Sequence, residues 1–292
     1  ILKEEAYFDK VIDVAAGSYY IENLTKSIAH SAWEIFLEVQ QKGGFIECMK
    51  QGHIQAAILD SARKHKQALA SRREVMVGVN QYPCFNEVYN EKPRDYSMGC
   101  CKKSIDKAQP ADDQCYFADE YLNCDCNQEH CNCSCCNENM RIVQPLKFFR
   151  IAGEFEKLRL QTDFNNHRPK VFLLTIGNVA MRRARAQFSA SFFACAGYEI
   201  IDNIGFNSVD EGIDKAIETR ADIVVLCSSD DEYALYAPET FKKLDGRAIL
   251  VIAGLPPCEN DLKSQGISNF IHLRSNLLDT LKLYQQKLGI ES

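Results

Sequence analysis

The chain has 292 residues, 46% of them hydrophobic and 25% charged, which is enough to bury a sizeable core and suggests two domains. Its formal net charge is -6 and it has no basic stripe, so we do not expect it to bind nucleic acid. It has no run of about 18 apolar residues, so we expect no membrane span.

The N-terminal residues are predicted to be part of a larger α/β body. Apolar residues recur at helical spacing over 21–41, at Leu24, Ile28, Ala32, Ile35, Phe36 and Val39. Gly43-Gly44 should end this helix, a second helix is predicted over 53–71, and Val75–Val79 is predicted to be a short buried strand. Two helices and one strand make a poor independent domain, and the chain starts without Met or a signal peptide. We therefore expect residues 1–90 to complete a domain that begins in a longer chain.

The middle of the chain, residues 91–144, is predicted to be a cysteine-rich insertion, followed by a linker helix over 145–167. Six closely spaced cysteines are candidate ligands for Zn²⁺ or an Fe–S cluster: Cys124, Cys126, Cys131, Cys133, Cys135 and Cys136. Thiolates at such spacings can bridge soft metal ions, and His130 could add a nitrogen ligand. The alternative is a flexible insertion whose thiols are free or adventitiously oxidised. Native disulfides are not expected, because we expect a cytoplasmic protein.

After Arg168, short apolar segments alternate with segments of helical period, which predicts a doubly wound α/β domain over residues 168–292. The predicted strands are Val171–Ile176, Tyr198–Ile201, Ile223–Cys227, Ala248–Ala253 and Phe270–Leu273. The predicted helices are Arg185–Ala196, Val209–Thr219, Ala234–Leu244, Glu259–Gln265 and Asn276–Leu288. The strands are nearly continuous in Val, Ile and Leu, which is typical of a parallel sheet covered by helices on both faces.

Ligands of such domains usually bind at the carboxyl ends of the strands, yet the turn after the first predicted strand lacks chemically active residues. Gly177 opens this turn. Three later positions are neither metal ligands, general bases nor glycines: Val179, Met181 and Ala184. Other strand-end positions, for which turn formation or capping is favoured, are Ser228, Ser229 and Gly254. We identify no catalytic residue in the chain.

Two charged groups border these strand ends. The segment Asp230–Glu232 could be an acid pair or a metal site, but it lies between a strand and a helix, so helix N-capping is favoured. Arg182, Arg183 and Arg185 could meet an anionic group, although a solvated or subunit-facing helix surface is the favoured interpretation.

Several motifs stand out in the N-terminal segment: Asp13-Val-Ala-Ala-Gly-Ser-Tyr-Tyr-Ile-Glu22, Leu24-Thr25, Trp33, Gly43-Gly44 and Gly78-Val-Asn-Gln-Tyr82. Together they resemble the end of the substrate barrel, a TIM-barrel-type domain, of methylmalonyl-CoA mutases. The α/β domain resembles the C-terminal, flavodoxin-like cobalamin-binding domain of the same enzymes. The resemblance covers nearly the whole chain except the cysteine-rich stretch.

This resemblance implies a degenerate cobalamin site. In cobalamin-binding mutases the first turn carries Asp-x-His-x-x-Gly, in which the His binds cobalt and the Asp orients the His. The matching positions are Val179, Met181 and Ala184, so all three defining residues are substituted. The family's strand-end Ser matches Ser228 or Ser229, and its Gly-Gly pair is Ala253-Gly254.

The resemblance further implies a structural, non-catalytic subunit that carries no adenosylcobalamin itself. Its partner in a heterodimer would be a large catalytic subunit that holds adenosylcobalamin and the acyl-CoA and interconverts methylmalonyl-CoA and succinyl-CoA. The alternative is a metal-binding or regulatory module that uses the mutase scaffold through its cysteine-rich insertion. Elemental analysis of anaerobically purified protein separates the two. An active mutase chain with altered cobalt ligation is disfavoured, because Met181 is a poor substitute for imidazole.

Overall fold

The computed structural model describes residues 1–88, Val143, 150–165 and 167–290. These residues belong to two compact units. The first unit contains residues 1–60 and Val143, and the second contains the remaining described residues from Ser61 onward.

The first unit is formed by helices in its described part. A short 3₁₀ turn at Phe8–Lys10 precedes α1 (Tyr19–Gln41), α2 (Phe45–Lys50) and the start of α3 (His53–Ala70). Gly43 has a φ angle of +98°, which glycine adopts without strain, and it ends α1 as the sequence predicts. The two long helices confirm the prediction. Helix α2 was not predicted, because six residues are too few to show a helical period.

The predicted strand Val75–Val79 is wrong. This segment is a turn with one isolated bridge at Val77, and the side chains of Val75 and Val77 are exposed. The buried side chain of Asn80 instead binds three backbone groups around the turn, those of Leu69, Glu74 and Met76. Backbone groups that bind a side chain in this way are not available for a sheet ladder.

The second unit is built on a five-stranded, all-parallel sheet with the strand order β2-β1-β3-β4-β5. The strands are β1 (Lys170–Thr175), β2 (Glu199–Ile201), β3 (Ile223–Cys227), β4 (Ile249–Ala253) and β5 (Phe270–Ile271). The three central strands are almost entirely buried, as their continuous apolar runs predict. This strand order is that of flavodoxin-like domains, and it confirms the predicted fold class.

Helices cover both faces of the sheet. In its described part this unit contains the portion of α3 from Ser61 onward, α4 (Gly153–Asp163), α5 (Val179–Ala194), α6 (Val209–Glu218), α7 (Tyr233–Leu244), α8 (Glu259–Ser264) and α9 (Leu277–Lys287). One apolar core packs α4, α5 and α9 against the sheet, and the other packs α6, α7 and α8 against the opposite face. No helix in the described part of the chain combines the length and the apolarity that crossing a membrane requires.

The register of the sheet places two turns side by side. Thr175, the last residue of β1, pairs with Cys227, the last residue of β3. The turns that follow these strands therefore emerge next to each other, at the point where the strand order reverses. Strand β4 ends beside them at Ala253.

Within the second unit, a buried arginine holds the segment before residue 89 against α4. Arg159 on α4 is buried, and its guanidinium donates hydrogen bonds to the carbonyl oxygens of Cys84 and Glu87 at 2.9 and 2.7 Å. It also lies 3.9 Å from the carboxylate of Asp163, whose side chain is fully buried. On the far side of the undescribed stretch, Arg150 forms an ion pair with the same helix. Both flanks of that stretch are therefore held at α4.

Candidate functional site

The first part of the candidate site is the glycine turn after β1. Gly177 has a φ angle of +79°, and the side chain of Asn178 accepts hydrogen bonds of 3.1 Å from two backbone N–H groups of α5. This N-cap starts α5 at Val179, six residues before the predicted start at Arg185. The sequence prediction treated these residues as a turn because it overlooked the capping role of Asn178.

The three positions of the degenerate cobalamin motif lie on the first two turns of α5. Val179 is 58% exposed, Met181 is 38% exposed and Ala184 is also exposed. Their side chains contain no nitrogen or oxygen atom. These three positions therefore provide neither an imidazole for cobalt nor a carboxylate that would orient one.

The second part of the site is the turn after β3, where Glu232 crosses to the glycine turn. One carboxylate oxygen of Glu232, Oε2, accepts hydrogen bonds from the hydroxyls of Ser228 and Ser229 at 2.6 and 2.7 Å. The same oxygen accepts from the backbone N–H groups of Asn178 and Ser229 at 3.1 and 3.2 Å. A carboxylate of the chain itself therefore joins the two turns at the strand ends.

These hydrogen bonds keep Glu232 ionised. The Ser228 hydroxyl has the largest effect and, together with the bonds from Ser229 and Asn178, lowers the pKa of Glu232 from 4.5 to about 2, although burial acts in the opposite direction. Because the pKa is lowered in the folded state, the carboxylate stabilises the fold above pH 4.5, and this stabilisation is lost as the pH falls towards 2. The site therefore carries a fixed negative charge at neutral pH.

The N-capping role predicted for Asp230–Glu232 is wrong for the side chain of Glu232. Glu232 occupies the N-cap position of α7, but its side chain makes no capping hydrogen bond to that helix. Four donors from the two strand-end turns bind the carboxylate instead. Sequence reasoning missed this role because only the pairing of β1 with β3 brings Gly177 close to Glu232.

A second charged pair covers the end of β4. Arg185 on α5 binds both carboxylate oxygens of Asp230, at 2.9 and 3.0 Å. A Cβ atom placed on Gly254 would lie 2.9 Å from the Asp230 carboxylate, so this glycine leaves room for the ion pair. The Tyr233 hydroxyl donates to the carbonyl oxygen of Ala253 at 2.6 Å. Side chains of the chain itself therefore fill the crevice over β1, β3 and β4.

An open cleft of about 670 Å³ lies beside this crevice, over β1 and β2. Its polar lining comes mainly from α5 and the loop after β2, at Arg182, Arg183, Gln187, Ser191, Asp202 and Asn203. Arg182 binds the carbonyl oxygens of Gly177 and Ile204 at 3.4 and 3.2 Å, so its guanidinium has a structural role in this unit. The lining contains no paired nucleophile and base.

The six candidate metal ligands between Cys124 and Cys136 lie outside the described residues. Among the residues that the structure describes, no three His, Cys, Asp or Glu side chains are grouped closely enough to hold a metal ion. The prediction of a Zn²⁺ or Fe–S site therefore stays a prediction.

Comparison with known proteins shows what the chain is similar to. The family model described as methylmalonyl-CoA mutase matches residues 1–109. A methylmalonyl-CoA mutase small subunit from Porphyromonas gingivalis is 48% identical over 290 residues, which cover 99% of this chain and 41% of that protein. A small subunit from Streptomyces virginiae is 26% identical over 86% of this chain and 34% of its own length. The methylmalonyl-CoA mutase of Rhizobium meliloti is 38% identical over 95 residues, 32% of this chain and 13% of that enzyme.

The chain thus spans about two fifths of the length of the Porphyromonas relative, at 41%. The match extends across the α/β unit as well as the N-terminal unit, since it covers 290 residues. On these findings, the chain is similar over nearly its whole length to methylmalonyl-CoA mutase small subunits, and its first 109 residues match the methylmalonyl-CoA mutase family model.

Proposed function

We propose that this chain is part of a structural, non-catalytic subunit of an adenosylcobalamin-dependent methylmalonyl-CoA mutase in the cytoplasm. A large partner subunit would hold the cofactor and interconvert methylmalonyl-CoA and succinyl-CoA. The observation that carries this proposal is the crevice at the strand ends. Domains of this fold usually receive their ligand there, and in this chain Glu232, Asp230 and Arg185 fill it. The names of the small-subunit relatives also support it.

The residues at the site do not fit adenosylcobalamin bound through a histidine. Position 181 is a methionine on an exposed helix turn, and position 179 is a valine. A ligand that entered between β1 and β3 would have to displace the Glu232 carboxylate from four hydrogen-bond donors. We therefore assign no step of the isomerisation to residues of this chain.

The purified chain is expected to show no retention of adenosylcobalamin. The cofactor is titrated while its visible spectrum is recorded, and the mixture is then passed over a desalting column. A matched variant carries Val179→Asp, Met181→His and Ala184→Gly, which restores the three family residues. It is also expected to retain no cofactor, because Glu232 and the Arg185–Asp230 pair still fill the crevice. Stoichiometric retention by the wild-type chain, with the spectrum of a histidine-ligated cobalt, would contradict the proposal.

The surface of α1 is apolar enough to pack against more protein, either the rest of the domain that residues 1–90 are expected to complete or a partner subunit. This helix has 23 residues, and none of them is buried. Its exposed large apolar side chains are Tyr19, Tyr20, Ile21, Leu24, Ile28, Trp33, Ile35, Phe36 and Leu37. Exposed apolar surfaces of this extent usually mark an interface with more protein. The full mutases among the relatives support a large mutase subunit as one such partner.

Co-expression with a large mutase subunit is expected to yield a stable heterodimer that buries on the order of 2,000 Å² or more, as obligate interfaces do. Light scattering after size-exclusion chromatography should give a mass equal to the sum of the two chains. Each chain run alone supplies the reference masses. Two species that elute separately at micromolar concentration would contradict the proposed partnership.

A further inference from the structure

The environment of Glu232 has the chemistry of an anion site. Its four donors come from Asn178, Ser228 and Ser229, and all four point at one carboxylate oxygen within 3.2 Å. Two are hydroxyls and two are backbone N–H groups, a combination that binds carboxylate and phosphate oxygens well. We refer to these four donors as the oxyanion cradle.

The backbone is shaped to admit the carboxylate. Gly177 has a φ angle of +79°, and a Cβ atom at this position would overlap the carboxylate group of Glu232. One residue of the cradle is also held by a contact that does not involve Glu232. Ser228 is fully buried, and its backbone N–H donates to the hydroxyl of Tyr233 at 3.2 Å. The donors therefore converge on a space that only a glycine at position 177 leaves open.

The local charge does not prevent an anion from binding. Asp230, two residues before Glu232, is neutralised by its two hydrogen bonds to Arg185. The guanidinium of Arg182 lies 3.4 Å from the carbonyl oxygen of Gly177, in the same glycine turn. With Asp230 paired to Arg185, the Asp230 carboxylate adds little repulsion to a negative group in the cradle.

We propose that the oxyanion cradle is a binding site for small oxyanions, that the Glu232 carboxylate is its internal occupant, and that a free carboxylate or phosphate binds there when this side chain is removed. In the wild-type chain the site is closed to outside ligands, because its occupant is covalently attached and always present. This inference requires neither a partner nor cobalamin. Its failure would leave the proposed mutase role unchanged.

Chemical rescue of a Glu232→Ala variant tests the proposal. The midpoint of urea unfolding is measured with formate, with inorganic phosphate and with chloride, all at equal ionic strength. The variant should have a lower midpoint than the wild type in chloride. Formate or phosphate should raise its midpoint saturably and recover about half of the loss, as a ligand that binds only the folded state does. If the variant does not fold in chloride, refolding yield replaces the midpoint, and formate should restore it.

The wild type and two further variants make the result specific. Glu239→Ala removes a glutamate on the same helix that pairs with Lys243 and does not contact the cradle, so it should show no anion effect, like the wild type. Adding Ser229→Ala to Glu232→Ala removes one hydroxyl donor and should weaken formate binding about tenfold. Equal responses in all proteins, or no gain from formate or phosphate in either the unfolding or the refolding measurement, would overturn the proposal.

Discussion

Replacing Phe193 by alanine is expected to destabilise the α/β unit by about 3–5 kcal/mol. Phe193 is fully buried on α5. Its ring centroid lies 5.4 Å from that of Phe192, 6.1 Å from that of Tyr198 and 5.3 Å from that of Tyr284. Removing the ring leaves a cavity that three large rigid side chains cannot close by small shifts. Urea unfolding followed by far-UV circular dichroism measures the loss. Fluorescence is less suitable, because the one tryptophan, Trp33, lies in α1.

Two further variants test whether this loss comes from the cavity. Phe193→Leu keeps most of the apolar volume and should cost less than about 1.5 kcal/mol. Leu235→Ala removes an exposed side chain from α7 and should change stability by no more than about 0.5 kcal/mol. If Phe193→Ala were as mild as Leu235→Ala, the packing described for this face of the sheet would be wrong.

Replacing Arg159 by alanine is expected to cost about 3 kcal/mol, because it removes a cation next to the fully buried carboxylate of Asp163. The substitution also removes the donors for the carbonyl oxygens of Cys84 and Glu87. Limited proteolysis should then cut more readily between residues 84 and 88, in addition to the loss in urea unfolding. The two measurements together separate the general loss of stability from the release of this segment.

Two other arginine variants show how much of the expected loss in stability comes from the buried guanidinium of Arg159. Arg150→Ala breaks an ion pair whose arginine side chain is 69% exposed, and it should cost no more than about 0.5 kcal/mol. Arg159→Lys keeps the charge but lacks the planar guanidinium that reaches both carbonyl oxygens, so it should recover only part of the stability. An Arg159→Ala protein as stable and as protease-resistant as Arg150→Ala would show that the buried guanidinium contributes little.

The central part of the fold was predictable because its strands are continuous runs of Val, Ile and Leu. Strand β3 has the predicted bounds, Ile223–Cys227, since both of its faces are buried and no polar residue interrupts it. Helix boundaries were harder to predict. The start of α5 depends on one hydrogen-bonding side chain, Asn178, rather than on a repeating pattern. The Val75–Val79 segment has strand-forming residues, but its position is decided by the buried Asn80.

For the candidate site, the sequence predicted only which chemical groups are absent, namely the imidazole, carboxylate and glycine of the cobalamin motif. The sequence alone shows that no imidazole is present to bind cobalt at the three motif positions, which are Val179, Met181 and Ala184. What fills the crevice instead depends on contacts between distant segments. Glu232 lies 54 residues from Asn178 in the chain, and no local pattern links them. The oxyanion cradle therefore depends on the pairing of β1 with β3, which the local sequence does not reveal.

The attachment of both flanks of residues 89–149 to α4 determines where the molecule can tolerate changes in length. The entropy of closing a chain segment grows only with the logarithm of its length, at about 0.6 kcal/mol for each doubling. Because Arg159 holds one flank and the other continues directly into α4, these anchoring contacts use no residue from the stretch itself. We therefore expect added residues between these two anchors to cost little stability. The same position suits the acquisition of a cysteine-rich segment during evolution and the insertion of a tag by a protein engineer.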